Sequence, residues 1–250
     1  MHHLDRSTDY VLDIGMHKGF DAEYYLRKGF RVVGVEPRSD LIRIAERRLW
    51  PFVQNGSLEI IGAAVDHEAG RVVDFWIHPT KDDWGSLDRH HAEKGTAEAT
   101  RIHVPTTSIS EIFSRYGTPY LLKSDTEGGE DIVLASLVDQ AQVPTHLSFE
   151  ICTPTQLDLL LKLPYKRFQI RNQWMNPWIV ERAPSLEGLT NPTTFTHEHS
   201  GPFGKDLPDD MWMDSSELRR RIDHWFALSE VDRTLVGNGW LDIHCSLSVI

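Results

Sequence analysis

The chain has 250 residues, which suits one α/β domain with an insertion or at most two small domains. With 40% hydrophobic and 25% charged residues it has material for a buried core, and disorder is not expected. The net charge of −11 makes nucleic acid and membranes poor partners, because an acidic surface repels phosphate and anionic lipid.

Tyr10 to Ile14 is a short β-type run ending in glycine. Asp21 to Lys28 has a helical pattern, with Gly29 as its C-cap. Arg31 to Val35 is a second β run, ending at Glu36-Pro37, and Asp40 to Leu49 is helical, with Leu41, Ile44, Ala45 and Leu49 on one face. Leu58 to Val65 reads as a third strand and Val72 to Ile77 as a fourth. Lys81 to Arg101 is polar and irregular, as a loop over a site would be. Ser108 caps a helix to Tyr116, with Glu111 three residues on. Tyr120 to Ser124 is a strand, Gly128 to Leu137 a helix, His146 to Ile151 a strand and Thr155 to Leu163 a helix.

This alternation predicts a parallel sheet with helices on both faces. It then breaks. Phe168 to Asn172 and Trp240 to Ser248 are the last strand candidates, and roughly 70 residues separate them. Only Ser215 to Leu228 looks helical there, and a connection this long without regular structure is usually functional. A single domain over 1–250, with an irregular insertion at about 173–239, is expected.

Other features are plainer. Cys152 and Cys245 lie in apolar, strand-like runs and read as small buried hydrophobes, with no disulfide framework or zinc spacing. Arg47-Arg48 and Arg219-Arg220-Arg221 read as solvated helix faces. No signal-like segment and no 18-residue apolar span is seen, so a soluble, cytoplasmic protein is expected.

The chemistry concentrates between Val11 and Pro37. Asp13-Ile14-Gly15-Met16-His17-Lys18-Gly19 follows a strand and opens a helix. Gly15 permits a tight turn and lets a ligand approach backbone N–H groups, while Gly19 lets the helix pack near the strand. Glu36 ends the next strand, 23 residues after Asp13, where an acidic group can accept both hydroxyls of a ribose. A dinucleotide fingerprint would carry a glycine where His17 stands. Asp13 and Glu23 instead offer negative charge to a cationic ligand, which favours S-adenosylmethionine (SAM).

At these residues the sequence resembles the FkbM family of SAM-dependent methyltransferases. The likeness is carried by Asp13 to Gly19, Asp21 to Leu26 and Gly29 to Pro37, and more specifically by Lys123-Ser-Asp125-Thr-Glu127-Gly128-Gly129-Glu130. Val104 to Ile109, Trp84 to Leu87 and Ser148 to Glu150 look like further family segments, and Ser200 to Gly204 like a loop of one branch. Phe20 and Gly129 depart from the pattern, the first where a polar residue is usual and the second where a larger one is. The resemblance implies a Rossmann-like, seven-stranded, mostly parallel sheet with an antiparallel last strand. The cofactor set that follows is Asp13, Gly15, Met16, His17, Lys18, Gly19, Glu23, Glu36, Pro37, Ala64, Ser86 and Asp125.

Asp13, Glu36, Asp125 and Glu150 fall at strand ends and should share one edge of the sheet, where ligands bind. The expected reaction is O-methylation of a hydroxyl on a small molecule, a sugar or natural product. Asp125, Glu127, Glu150 and Lys123 are the catalytic candidates. Asp125 or Glu127 would act as base or orient the methionine ammonium, and Asp125 with Glu150 would suit Mg2+. Two alternatives stand beside this, an NAD-dependent oxidoreductase and a SAM-binding module without catalysis.

Overall fold

A computed structural model describes residues 9–96, 98–237 and 239–247. In chain order the elements are β1 (Tyr10–Ile14), α1 (Phe20–Arg27), β2 (Arg31–Val35), α2 (Ser39–Arg48), α3 (Trp50–Gln54), β3 (Leu58–Ile61), β4 (Ala64–Val65), β5 (Val72–Ile77), α4 (Arg89–Ala92) and β6 (Thr100–Thr107). There follow α5 (Ile109–Tyr116), β7 (Leu121–Ser124), α6 (Glu130–Val138), β8 (His146–Glu150), α7 (Pro154–Leu160), β9 (Arg167–Asn172), α8 (Ser215–Val231) and β10 (Leu241–Ser246).

The main sheet has the order β3-β2-β1-β7-β8-β10-β9. β1 lies in its interior between β2 and β7, parallel to both. All five of its residues are buried, which is why it reads as a continuous apolar run rather than an alternating one. β10 runs antiparallel to β8 and β9, so the expected mostly parallel, Rossmann-like sheet with its antiparallel last strand is present. One apolar layer packs α5, α6, α7 and α8 on one face. A second joins α1 and α2 to the other face, with Phe195 and Phe203 from the long connection after β9.

Three readings needed correction. Leu58 to Val65 is not one strand: Gly62 and Ala63 divide it, β3 joining β2 in the main sheet and β4 joining β6 in a second, three-stranded sheet. β5 belongs to that second sheet too. β6 fell partly inside the segment read as irregular, although Ile102 and Val104 alternate there with exposed Arg101, His103 and Pro105 in a strand period. Third, Cys152 is exposed, just past the end of β8, while Cys245 is buried as expected.

The connection from β9 to β10 is fastened by buried charge. The Lys28 ammonium, beneath α1, bonds Glu181 at 2.7 Å, Asp206 at 2.8 Å and Ser185 at 2.8 Å. Among the described residues no helix is long and apolar enough to cross a membrane.

Candidate functional site

The loop after β1 is laid onto β2. The Gly15 and Met16 amides both donate to the Val35 carbonyl (3.0 and 3.1 Å), and the His17 amide donates to Glu36 Oε2 (2.9 Å). These amides therefore face the protein, not a ligand as the sequence suggested. Gly15 sits at φ 76°, and a Cβ on it would collide with the Asp125 carbonyl oxygen. The close approach it permits is that of the β7 end. Gly19, at φ 78°, packs against Ala45 of α2 and Leu49, which caps that helix, rather than the strand.

Glu36 is buried and lines the cleft. Its Oε1 accepts the Arg38 amide at 2.9 Å as Oε2 accepts that of His17. Each carboxylate oxygen keeps a lone pair for a further donor. Burial pushes its pKa up to about 7, against the pull of those amides.

A buried lysine organises the floor. Lys123 Nζ lies 3.3 Å from Asp13, 3.5 Å from Asp21 and 3.7 Å from Asp125. Burial alone would lower its pKa, but these three carboxylates outweigh that and raise it. Lys123 is thus a fixed cation. Asp21 also accepts from the Ser200 amide (2.9 Å) and hydroxyl (2.9 Å), which pins the segment 197–200 over the site.

The segment from Lys123 to Glu130 then builds the far side. Glu130 bends back to accept from the Thr126 amide and hydroxyl (both 2.6 Å) and the Gly128 amide (3.0 Å). Glu127 stands at φ 53°, unusual for a residue with a side chain. Its carboxylate is held by His91 and Lys94, both at 2.7 Å, and its carbonyl accepts from Ser86 at 2.7 Å. Burial would raise the Glu127 pKa, but His91 and Lys94 bring it below the ordinary value. A Cβ on Gly129 would come 2.8 Å from the Thr126 hydroxyl, so that space explains the glycine.

Asp125, Glu127 and Glu150 offer carboxylate oxygens within 4.8 Å of one another. Burial pushes Asp125 up to about 6, partly offset by Lys123. Glu150 rises further, to about 9, through burial and then the charges of Asp125, Glu127 and Asp242. With little positive charge to offset burial, Asp125 and Glu150 hold their protons more tightly than ordinary carboxyls.

A cleft of about 410 Å³ opens onto these groups. Gly15, Met16, His17, Glu36, Pro37, Ala64, Lys123, Asp125, Glu127 and Glu150 line it, all read from the sequence. Others of the expected set stand back from it. Asp13 is buried against Lys123, and Ser86 is buried behind Glu127. Lys18 pairs with Asp82 at 2.7 Å, and Gly19 caps α1. Glu23 is engaged by Arg27 and Arg48 and does not reach the cleft, so neither it nor Asp13 presents free charge to a ligand.

Residues not singled out from the sequence complete the walls. Leu41, Ala63, Val65 and Phe75 give an apolar side, and Gln173 and Trp240 close the end beyond Glu150. Phe20, the departure noted above, also lines the cleft. Its ring lies under the Arg48 guanidinium at 3.7 Å and meets His199 edge-on.

Residues 13–170 match the family model for the methyltransferase FkbM domain. No curated protein matches the chain. Among solved structures, methyltransferase FkbM from Methylobacillus flagellatus KT is 15% identical, with a TM-score of 0.44, over 66% of this chain and 40% of that one. The SAM-dependent O-methyltransferase of Thermotoga maritima is 11% identical, with a TM-score of 0.38, over 98% and 62%. Phosphoethanolamine N-methyltransferase 2 of Haemonchus contortus, in complex with S-adenosyl-L-methionine, is 10% identical, with a TM-score of 0.38, over 96% and 49%. The chain therefore spans from 40% to 62% of the length of these structures.

Proposed function

The chain belongs to the FkbM methyltransferase domain family, and on that premise we propose that it methylates a hydroxyl of a small molecule with SAM as donor. The observation that carries this reading is the placement of Asp125 and Glu150 at neighbouring strand ends, opening on the cleft that Gly15 and Glu36 begin. The residues fit the cofactor. Glu36 keeps lone pairs for a ribose, Leu41, Ala63 and Val65 offer an apolar slot for a base, and Asp125 and Glu150, once ionised, suit a sulfonium and an ammonium. When bound, SAM supplies an electrophilic methyl group.

The protein's part is alignment and proton removal. Glu127 is committed to His91 and Lys94, which leaves it a positioning residue rather than the base. Lys123 keeps Asp13 and Asp21 neutralised and holds the floor rigid. Glu150 is the proton acceptor: it opens on the cleft at the end of β8, and a cation beside it brings its raised pKa down, so that it is ionised and can take the hydroxyl proton. Asp125, Glu127 and Glu150 also form a donor set of hard oxygens that suits Mg2+, which would lower the pKa of the acceptor hydroxyl.

Calorimetric titration with SAM, S-adenosylhomocysteine (SAH) and NAD tests the cofactor, and stabilisation by NAD alone would sink the reading. Methyl transfer from labelled SAM to a panel of hydroxyl acceptors tests the reaction, binding without any turnover marking a module that is not an enzyme. Turnover abolished by EDTA and restored by Mg2+ supports the metal, whereas turnover indifferent to EDTA removes it. Glu150→Gln is expected to lower kcat by about 10²–10⁴ while SAH affinity holds. An unchanged kcat would transfer the base role elsewhere.

A further inference from the structure

Past Glu150 the cleft ends in a wall that holds none of the residues assigned above to the cofactor. Gln173, His197, Gly239 and Trp240 line it. It is built where β9 ends and β10 begins. The Gln173 amide donates to the Trp240 carbonyl at 3.1 Å, and its side-chain Nε2 donates to Asp242 at 2.6 Å. Asn172 caps the turn through the Trp174 amide at 2.9 Å. Gly239 stands at φ 103°, where a Cβ would strike the Asn172 side chain and come 2.7 Å from the Trp174 Cβ. Trp174 stacks on His197 with ring centroids 4.6 Å apart, and meets Trp240 edge-on at 6.4 Å. The wall adjoins the base directly: Asp242 is the cross-strand neighbour of Glu150, and the Ile151 amide donates to the Leu241 carbonyl at 2.9 Å.

The charges around this wall argue for the kind of molecule it receives. Lys123 is taken up by Asp13 and Asp21, and Lys94 by Glu127. Arg38 bonds Asp40 and the Asp82 carbonyl. Arg233 is exposed. An anionic group carried to Glu150 would meet carboxylates without a buried cation to receive it, and such desolvation is costly. Aromatic rings with a polar floor instead favour a ring with an apolar face and hydroxyl edges.

We propose that the Gln173–Trp240 wall is the acceptor subsite, and that it selects a ring that carries no anionic group and bears the hydroxyl to be methylated, with Trp240 as the specificity-determining contact. This rests on the methyl-transfer reading. A saturated sugar ring and an aryl ring share this chemistry, and the test separates them.

The full chain is assayed with labelled SAM on two matched sets: a methyl pyranoside with its uronate, and a neutral phenol with its carboxylated counterpart. SAH affinity is measured alongside. The uncharged member of one set is expected to exceed its carboxylated counterpart in kcat/KM by about tenfold or more. The set in which this occurs identifies the ring. Trp240→Ala is expected to raise the acceptor KM by about tenfold while SAH affinity stays within about twofold, and Trp240→Phe to recover most of the loss. Preference for a carboxylated member, turnover of neither set, or equal loss of acceptor and SAH binding in Trp240→Ala would overturn the proposal. Failure of SAH to bind the unaltered chain would overturn the methyl-transfer reading itself.

Discussion

Gly15 and Lys123 are the two residues whose replacement should be most informative. Gly15 combines a left-handed backbone with contact against the Asp125 carbonyl. Gly15→Ala therefore strains the turn and also pushes the β7 end aside. A loss of about 1–3 kcal/mol in urea denaturation is expected from the backbone alone, together with loss of SAH binding. Retained SAH affinity would show that the Asp125 position does not matter to the cofactor. Lys123→Met leaves Asp13 and Asp21 buried without their cation. Breaking a buried pair costs about 3–5 kcal/mol, and the cost should shrink on acidification as the stranded carboxyls take up protons. A penalty independent of pH would mean that lost packing, not charge, is responsible. Glu36, Asp125 and Glu150 were legible because acidic residues at strand ends have one place to go in a parallel sheet. Glu23 misled, since the arginines that engage it, Arg27 and Arg48, share its helix or the next and only the fold shows the latter beside it.

At the level of elements, the alternating part was readable from periodicity and caps, as Ser108 shows by accepting the Glu111 amide where expected. The second sheet was not, because β4 is two residues long and its partner β6 lies in a polar stretch. The connection after β9 was opaque for a different reason: its anchors are distant in sequence. Lys28 meets Glu181, Ser185 and Asp206, and Asp21 meets Ser200. Nothing local announces such pairs. Lys28→Met keeps the helix but strands Glu181 and Asp206, again costing about 3–5 kcal/mol. Limited proteolysis is expected to cut residues 181–206 first in this variant, while far-ultraviolet circular dichroism still reports the sheet. Cleavage spread evenly along the chain would show that the connection is not fastened separately. β10 taught a further lesson. Being antiparallel, it brings its beginning, not its end, to the functional edge. Asp242 and Trp240 therefore reach the site from a position where strand-end reasoning does not look.

The whole molecule carries net charge −11, and its cleft gathers acids whose pKa values burial raises. This makes stability and cofactor binding depend on pH with opposite signs. Glu36, Asp125 and Glu150 have values of about 7, 6 and 9, each above that of an unfolded carboxylate. Below the unfolded value both states are protonated, and the contribution of these groups is fully present. As pH rises past it, the unfolded chain releases protons that the folded chain retains, so stability falls until the folded values are passed. The melting temperature of the ligand-free protein should therefore decline from about pH 5 to about pH 9, with Glu150 responsible for the upper part of that range. SAM brings a sulfonium that favours the ionised carboxylates, whereas SAH lacks that charge. Binding SAM should release protons, so its affinity relative to SAH should grow over the same range. Glu150→Gln should flatten both curves above about pH 8, where Asp125 and Glu36 have largely titrated. A melting temperature that is level from pH 5 to 9, or a SAM-to-SAH ratio that does not move with pH, would show that these acids are ionised before any cation arrives.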